Sequence, residues 1–248
     1  MAKAADNGFR FELIDRDTLH EQIYRELRRA LMSGAVRPGQ PLSYRSLAEV
    51  LGTSPMPVRD AVRRLITERA LEALPNRTII VPDLSRERVD EIYKIRLALE
   101  VLATEQAASR MTRAILKELR ALEDQIETAL RTADIARFTE LNWRFHFRIY
   151  AAAGLPQLTE IIEGLWLQVG PSIWRQRPQD DAEPIAHRHR AIIEALERGD
   201  AAAARDAVAA VLLKGRDALK ASLGGPADLP IAFPAPRRGR PRRVTPPR

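Results

Sequence analysis

Residues 19–81, LHEQIYRELRRALMSGAVRPGQPLSYRSLAEVLGTSPMPVRDAVRRLITERALEALPNRTIIV, read as three helices followed by a pair of short strands, and that reading sets the architecture. Leu19, Ile23, Leu27, Ala30 and Leu31 recur at helical spacing behind Asp15, Asp17 and Thr18, which suit a helix start. Ser33-Gly34 and then Pro38-Gly39 stop the pattern. A second, short helix fits Ser43 as its N-cap, with Leu47, Ala48 and Leu51 on one face and Gly52 just past its end. A third opens at Ser54 and tolerates Pro55 and Pro57 in its first turn. It runs Val58, Ala61, Val62, Leu65 and Ile66 along one face. Two helices joined by a tight glycine-containing turn form a helix-turn-helix. Residues 71–74 and 78–81 flank Pro75-Asn76-Arg77, a strand pair of hairpin length that reads as a wing.

Outward from that stretch, Pro82-Asp83 breaks the last strand and begins a linker. From Ser85 to about Leu223 every segment keeps helical periodicity, over about 85–109, 112–131, 134–153, 155–175, 183–198 and 200–222. The breaks fall at Thr112, Ala133-Asp134, Gly154-Leu155-Pro156, Pro178 to Pro184, and Gly199-Asp200. The prediction is a mainly α protein. Residues 1–16 form a flexible start, 17–82 a winged helix-turn-helix with a small β wing, 83–225 an all-α helical bundle, and 226–248 a disordered tail rich in Arg and Pro.

Composition narrows the function classes. With 248 residues and 45% hydrophobic content the chain can bury two modest cores. No apolar run approaches the roughly 20 residues of a membrane span, and the first residues carry acids without the apolar stretch of a secretory signal. The expected location is the cytoplasm. With no cysteine, any metal falls to Asn, Asp, Glu or the four histidines, His20, His146, His187 and His189. The net charge of +7 is uneven: 1–82 hold thirteen Lys/Arg against ten Asp/Glu, and 226–248 hold six Arg against Asp228 alone. Positive charge at both ends points to a polyanion such as DNA, with a merely solubilising surface as the alternative that charge leaves open.

A helix-turn-helix presents the start of its second helix to the major groove, which puts Ser54, Pro55, Met56, Pro57 and Arg59 nearest bases and phosphates. Arg45, opening the preceding helix, is placed for the backbone. In residue types and ungapped spacing, the whole run 19–81 resembles the winged helix of the GntR family of transcriptional regulators. The resemblance implies operator contacts from Arg45, Ser54, Pro55, Met56, Pro57 and Arg59, with Asn76 and Arg77 at the wing tip reaching toward the minor groove. Two departures stand out. Many relatives place an Arg after the serine, whereas Pro55 here cannot donate a hydrogen bond to a guanine edge. Arg69 and Thr78 stand where relatives often have glycines. One helix-turn-helix reads only a half-site and family members pair through the helical domain, so the implied assembly is a homodimer on a palindromic duplex.

The segments SRERVDEIYKIRLALEVLATEQAA (85–108), LNWRFHFRIYAAAG (141–154) and HRHRAIIEALERGDAAAARDAV (187–208) resemble the effector-binding domain of the FadR-like branch of that family. The resemblance implies a small carboxylate effector, held in many relatives by a divalent metal on an acidic residue and three His. Here Asn142 and His146 stand four apart on one helix face and His189 matches the next ligand. Asn142 replaces the usual Asp and Val211 the last His, so a zinc, nickel or manganese ion would meet a thin ligand set. His187 should face elsewhere. Arg96, one turn before Glu100, either points inward to clamp a carboxylate or pairs with Glu100 at the surface. Trp143, Trp166 and Trp174 are candidates for the pocket wall or for core.

Arg238, Gly239 and Arg240 lie in PRRGRPRR (236–243), which looks like an AT-hook: glycine lets the backbone approach the minor-groove floor while the arginines enter a narrow A·T groove. Two other classes compete with a ligand-controlled repressor. A metal-dependent enzyme built on His146 and His189 lacks a carboxylate at the motif positions and a nucleophile with an adjacent base. An architectural DNA binder would have an apolar, well-packed bundle that only dimerises; a polar cavity around Arg96, Asn142, His146 and His189 distinguishes the sensor from it.

Overall fold

Local capping chemistry places the first helices. Ser43 Oγ accepts the Ser46 N–H at 3.0 Å while Ser46 Oγ accepts the Ser43 N–H at 3.2 Å, a reciprocal box that opens the second helix. Gly52 closes it at φ 65°. The structure, a computed structural model, describes residues 19–75, 78–176 and 185–223. Its first unit comprises α1 (Leu19–Met32), α2 (Tyr44–Leu51), α3 (Pro55–Thr67), β1 (Glu72–Ala73) and β2 (Ile79–Ile80). β1 and β2 are antiparallel, pairing Glu72 with Ile80 and Ala73 with Ile79. Ile23, Leu27 and Leu31 of α1 meet Val58, Val62 and Leu65 of α3 and Ile79 of the wing in one buried cluster.

The turn-rich stretch before α2 does more than its sequence suggests. Leu42 exchanges both backbone hydrogen bonds with Ile79, at 2.7 and 3.0 Å, and the Gly39 N–H donates to the Val81 carbonyl at 2.9 Å. Residues 38–42 thus add an irregular third edge to the wing.

The second unit holds α4 (Arg86–Ala108), α5 (Arg113–Arg131), α6 (Ile135–Ala152), α7 (Pro156–Val169), a 3₁₀ helix (Gly170–Gln176), α8 (Ile185–Glu197) and α9 (Ala201–Ser222). Ser85, Thr112, Asp134 and Asp200 cap α4, α5, α6 and α9 through their side chains. The helix expected over 155–175 divides at Gly170-Pro171. Pro171 has no N–H to give the Leu167 carbonyl, and the chain tightens into the 3₁₀ turn. Helix α4 lies along α9 and also packs on α6 and α7, which makes it the axis of the bundle.

The two units share a core rather than a bare linker, because the end of α1 rests on α7 and the 3₁₀ helix. Thr139 Oγ1 donates to the Ser33 carbonyl at 2.7 Å, and Arg28 Nη2 donates to Glu163 Oε2 at 2.7 Å. Gly170 is pressed so closely that a Cβ there would lie 2.8 Å from the Leu31 carbonyl oxygen and from Met32 Cα. Among the described residues no helix is long and apolar enough to cross a membrane.

Candidate functional site

The start of α3 is built for exposure. Ser54 is its N-cap, makes no side-chain capping bond and is exposed, as are Pro55, Arg59 and Arg45, and Met56 stands 76% exposed at the second helical position. Arg59 lies over the Tyr44 ring with Cζ 5.4 Å from the centroid, which orders a long cation before any partner arrives. Pro57 corrects the sequence reading: it is buried, so it shapes the helix instead of reaching outward. Asn76, Arg77, Arg238, Gly239 and Arg240 lie outside the described residues.

The bundle encloses the second set. A cavity of about 30 Å³ is lined by Tyr93 and Arg96 of α4, Asn142 and His146 of α6, Trp166 of α7 and Ile173 of the 3₁₀ helix. Ile185 and Arg188 of α8 and Val211, Leu212, Lys214, Gly215 and Ala218 of α9 complete the wall. Glu100, with no exposed surface, anchors one side. It accepts from Arg96 Nε at 2.6 Å and Nη2 at 3.4 Å, from the Tyr150 hydroxyl at 2.5 Å and from Trp166 Nε1 at 3.0 Å. The guanidinium of Arg96 lies between the Tyr93 and Trp166 rings, 4.6 and 4.5 Å from their centroids. Arg96 therefore does neither thing its spacing suggested: it points inward, and its charge is already met by Glu100. Burial alone would lower its pKa, but Glu100 outweighs that and the net shift is upward.

His146 and His189 are each held through Nδ1. Tyr150 spends its proton on Glu100, so its oxygen accepts from His146 Nδ1 at 3.2 Å and leaves the ring's lone pair on Nε2. Burial first, then His189 and Arg96, push the His146 pKa well below its ordinary value. His189 stacks on Phe145 at 4.3 Å between centroids and turns Nδ1 to Glu123 Oε2 at 2.8 Å; a carboxylate accepts, so Nδ1 carries a proton. The two imidazoles stand edge to face, 5.2 Å apart. His189 Nε2 and Asn142 Oδ1 are both buried without a hydrogen-bond partner. Asn142 lines the cavity, so its bare oxygen there calls for a donor or a cation.

The donor set bears on the metal expectation. Among the described residues no three His, Asp or Glu side chains converge, so a third ligand has to be the Asn142 amide, and Val211 puts an isopropyl group where the family places another His. Two imidazoles with carboxylate or phenol support behind them suit zinc or nickel, while a set with no anionic ligand suits manganese poorly. His187 is exposed, as its spacing from His189 predicted. Trp166 lines the cavity, whereas Trp143 faces Phe147 and is not part of the wall. The sequence reading missed Glu123. Its signal was available: on α5 a glutamate occupies the stripe of Leu119, Leu122, Ile126 and Ala129, where an apolar side chain belongs.

A winged helix with an exposed recognition helix, docked on a helical domain that holds a polar cavity, defines a DNA-binding regulator with a second, cavity-bearing domain. Residues 19–81 match the family described as bacterial regulatory proteins, gntR family, and residues 91–214 match the FCD domain. The HTH-type transcriptional regulator McbR of Escherichia coli is 36% identical over 152 residues, 61% of this chain and 69% of that protein. An uncharacterized regulator of Bacillus subtilis, YdhC, is 28% identical over 205 residues, covering 81% of this chain and 90% of its own length. The solved structure of E. coli McbR superposes with a TM-score of 0.75 at 30% identity, covering 82% of this chain and 98% of that one. This chain belongs to the GntR family of transcriptional regulators and carries an FCD domain.

Proposed function

We propose that the protein is a repressor that binds a palindromic operator as a homodimer and releases it when a small organic acid enters the bundle cavity. The observation that carries this reading is a buried, partnerless acceptor, Asn142 Oδ1, in the wall of a cavity that Arg188 and Lys214 also line, with His189 Nε2 likewise buried without a partner. Basic side chains in the wall favour a carboxylate, and a hydroxyl group or an ion would satisfy the bare Asn142 oxygen. A zinc or nickel ion on His146, His189 and Asn142 would supply the positive charge that this neutral ligand set lacks. A polar cavity is also what an architectural protein, whose bundle only dimerises, has no use for. Relatives support the sign of regulation: the gluconate operon repressor of Bacillus subtilis is 24% identical over 71% of this chain, and the probable D-xylose utilization operon repressor of Paenarthrobacter nicotinovorans is 27% identical over 75%.

Thermal unfolding tests the reading, because a ligand bound only by the native state raises stability by about 2.7 kcal/mol at a hundred times its Kd. The panel is a set of small mono- and dicarboxylates and sugar acids, each with and without zinc, nickel or manganese. A rise with an acid alone, or with an acid and a metal together, is expected. No rise under any condition refutes the sensor.

A further inference from the structure

Resting on that reading, we infer that a chain of four side chains, Glu163–Arg28–Tyr24–Glu68, links the cavity helix α7 to the recognition helix α3 and carries the regulatory signal between them. It starts one turn from the cavity: Glu163 and Trp166 are three residues apart on α7, and Trp166 both lines the cavity and holds Glu100. Arg28 of α1 donates Nη2 to Glu163 at 2.7 Å and Nη1 to the Tyr24 hydroxyl at 2.8 Å. Tyr24 in turn donates to Glu68, the residue that closes α3.

The setting is tighter than that of a surface ion pair. The Arg28 and Glu163 side chains are 18% and 30% exposed, Tyr24 is buried, and the Arg64 guanidinium covers its ring at 3.7 Å. Burial, set against the nearby Arg28, pushes the Glu163 carboxyl upward, and the Tyr24 hydroxyl rises for the same first cause. Glu68 Oε2 is buried with no partner, so the far end of the chain has an acceptor left over for a second arrangement. The backbone contact of Gly170 with Leu31 and Met32 lies one turn beyond Arg28 and gives α1 a fixed point about which to tilt. A shift of α7 that moves Trp166 therefore pulls on Arg28, and through Tyr24 on the end of α3.

Coupling is reciprocal, so DNA bound by the winged helix must alter the helical domain. That permits a test without the effector. All three tryptophans, Trp143, Trp166 and Trp174, belong to the helical domain and the winged helix has none. The probe is a duplex selected by the protein itself from a random-sequence pool. Saturating it should change the tryptophan emission of the full-length protein. Arg28→Met, Glu163→Gln and Tyr24→Phe should each keep the wild-type circular dichroism spectrum, still bind the duplex, and lose that emission change. Tyr24→Phe is the sharpest variant, since it removes one hydroxyl and leaves the Arg28–Glu163 pair intact. An emission change of wild-type size in these variants overturns the proposal, and so does an unresponsive wild type. If the duplex changes the emission while no acid ever raises the unfolding temperature, the sensor reading falls and this linkage stands.

Discussion

Glu100→Gln tests the cavity wall most directly. The glutamate has no exposed surface and accepts four hydrogen bonds, two from an Arg96 whose side chain is 3% exposed. Glutamine keeps the shape and one acceptor oxygen but removes the charge, and its NH₂ group must face Arg96 or the Tyr150 hydroxyl, both donors. Removing one partner of a buried ion pair costs about 3–5 kcal/mol, because the other charge stays desolvated and unmet. For a domain pair of this size each kcal/mol lowers Tm by about 2–4 °C, so a fall of about 6–20 °C is expected in thermal unfolding followed by circular dichroism. Protein concentration has to be held fixed, since dimerisation also moves Tm. Arg96→Met combined with Glu100→Leu should recover most of the loss, because an apolar pair removes the stranded charge along with its partner. A loss under about 1 kcal/mol in Glu100→Gln would put the pair in the range of exposed salt bridges and refute the buried arrangement.

Three more outcomes can be checked. The folded protein refuses the proton that an unfolded His146 takes up below about pH 6.5, so stability is complete above that value. It falls as pH drops from 6.5 through the depressed folded pKa, at a limiting slope of about 1.4 kcal/mol per pH unit; urea unfolding at pH 7 and pH 5 should show a shallower loss in His146→Gln than in the wild type, and equal losses would remove His146 as the cause. Arg69, exposed and at φ 60°, is in the left-handed region that favours glycine; Arg69→Gly should stabilise by about 0.5–1 kcal/mol, and a lower Tm in the variant would contradict the strain argument. Deleting residues 226–248, with their six arginines, should weaken binding to A·T-flanked duplexes and flatten the salt dependence by about 0.9 for each phosphate that is no longer neutralised, an idea that an unchanged slope would sink.

What the sequence made legible was local. Ser43 and Gly52 mark helix ends through a side chain and through backbone freedom, and the structure uses them at those places; Ser54 opens α3 as well, without a side-chain capping bond. The four side-chain caps of the bundle were likewise readable as Ser, Thr or Asp before an apolar period. What was not legible depends on atoms far apart in the chain. The third edge of the wing joins Leu42 to Ile79 through backbone groups, which leave no residue-type signature. The pairing of Arg96 was open because a spacing of four fits a surface pair and a buried one equally well; the Tyr93 and Trp166 rings around it decide the matter. Pro57 was misread because the third position of a recognition helix can face either way, and here it is buried. Glu123 was overlooked because its partner is 66 residues away.

The contact at Gly170 depends on a glycine from each unit, with a consequence for how such regulators can be recombined. On the bundle side it requires a residue without a Cβ against the main chain of Leu31 and Met32; on the other side Gly34, at φ 69°, would place a Cβ 3.3 Å from the Gly170 carbonyl oxygen. A foreign winged helix whose first helix ends at the same turn would have to bring a glycine at the position of Gly34. A foreign bundle offered to this winged helix must bring a glycine at the position of Gly170. The joint thus constrains one residue on each side, so either half can be exchanged only for one that carries its own glycine to the turn.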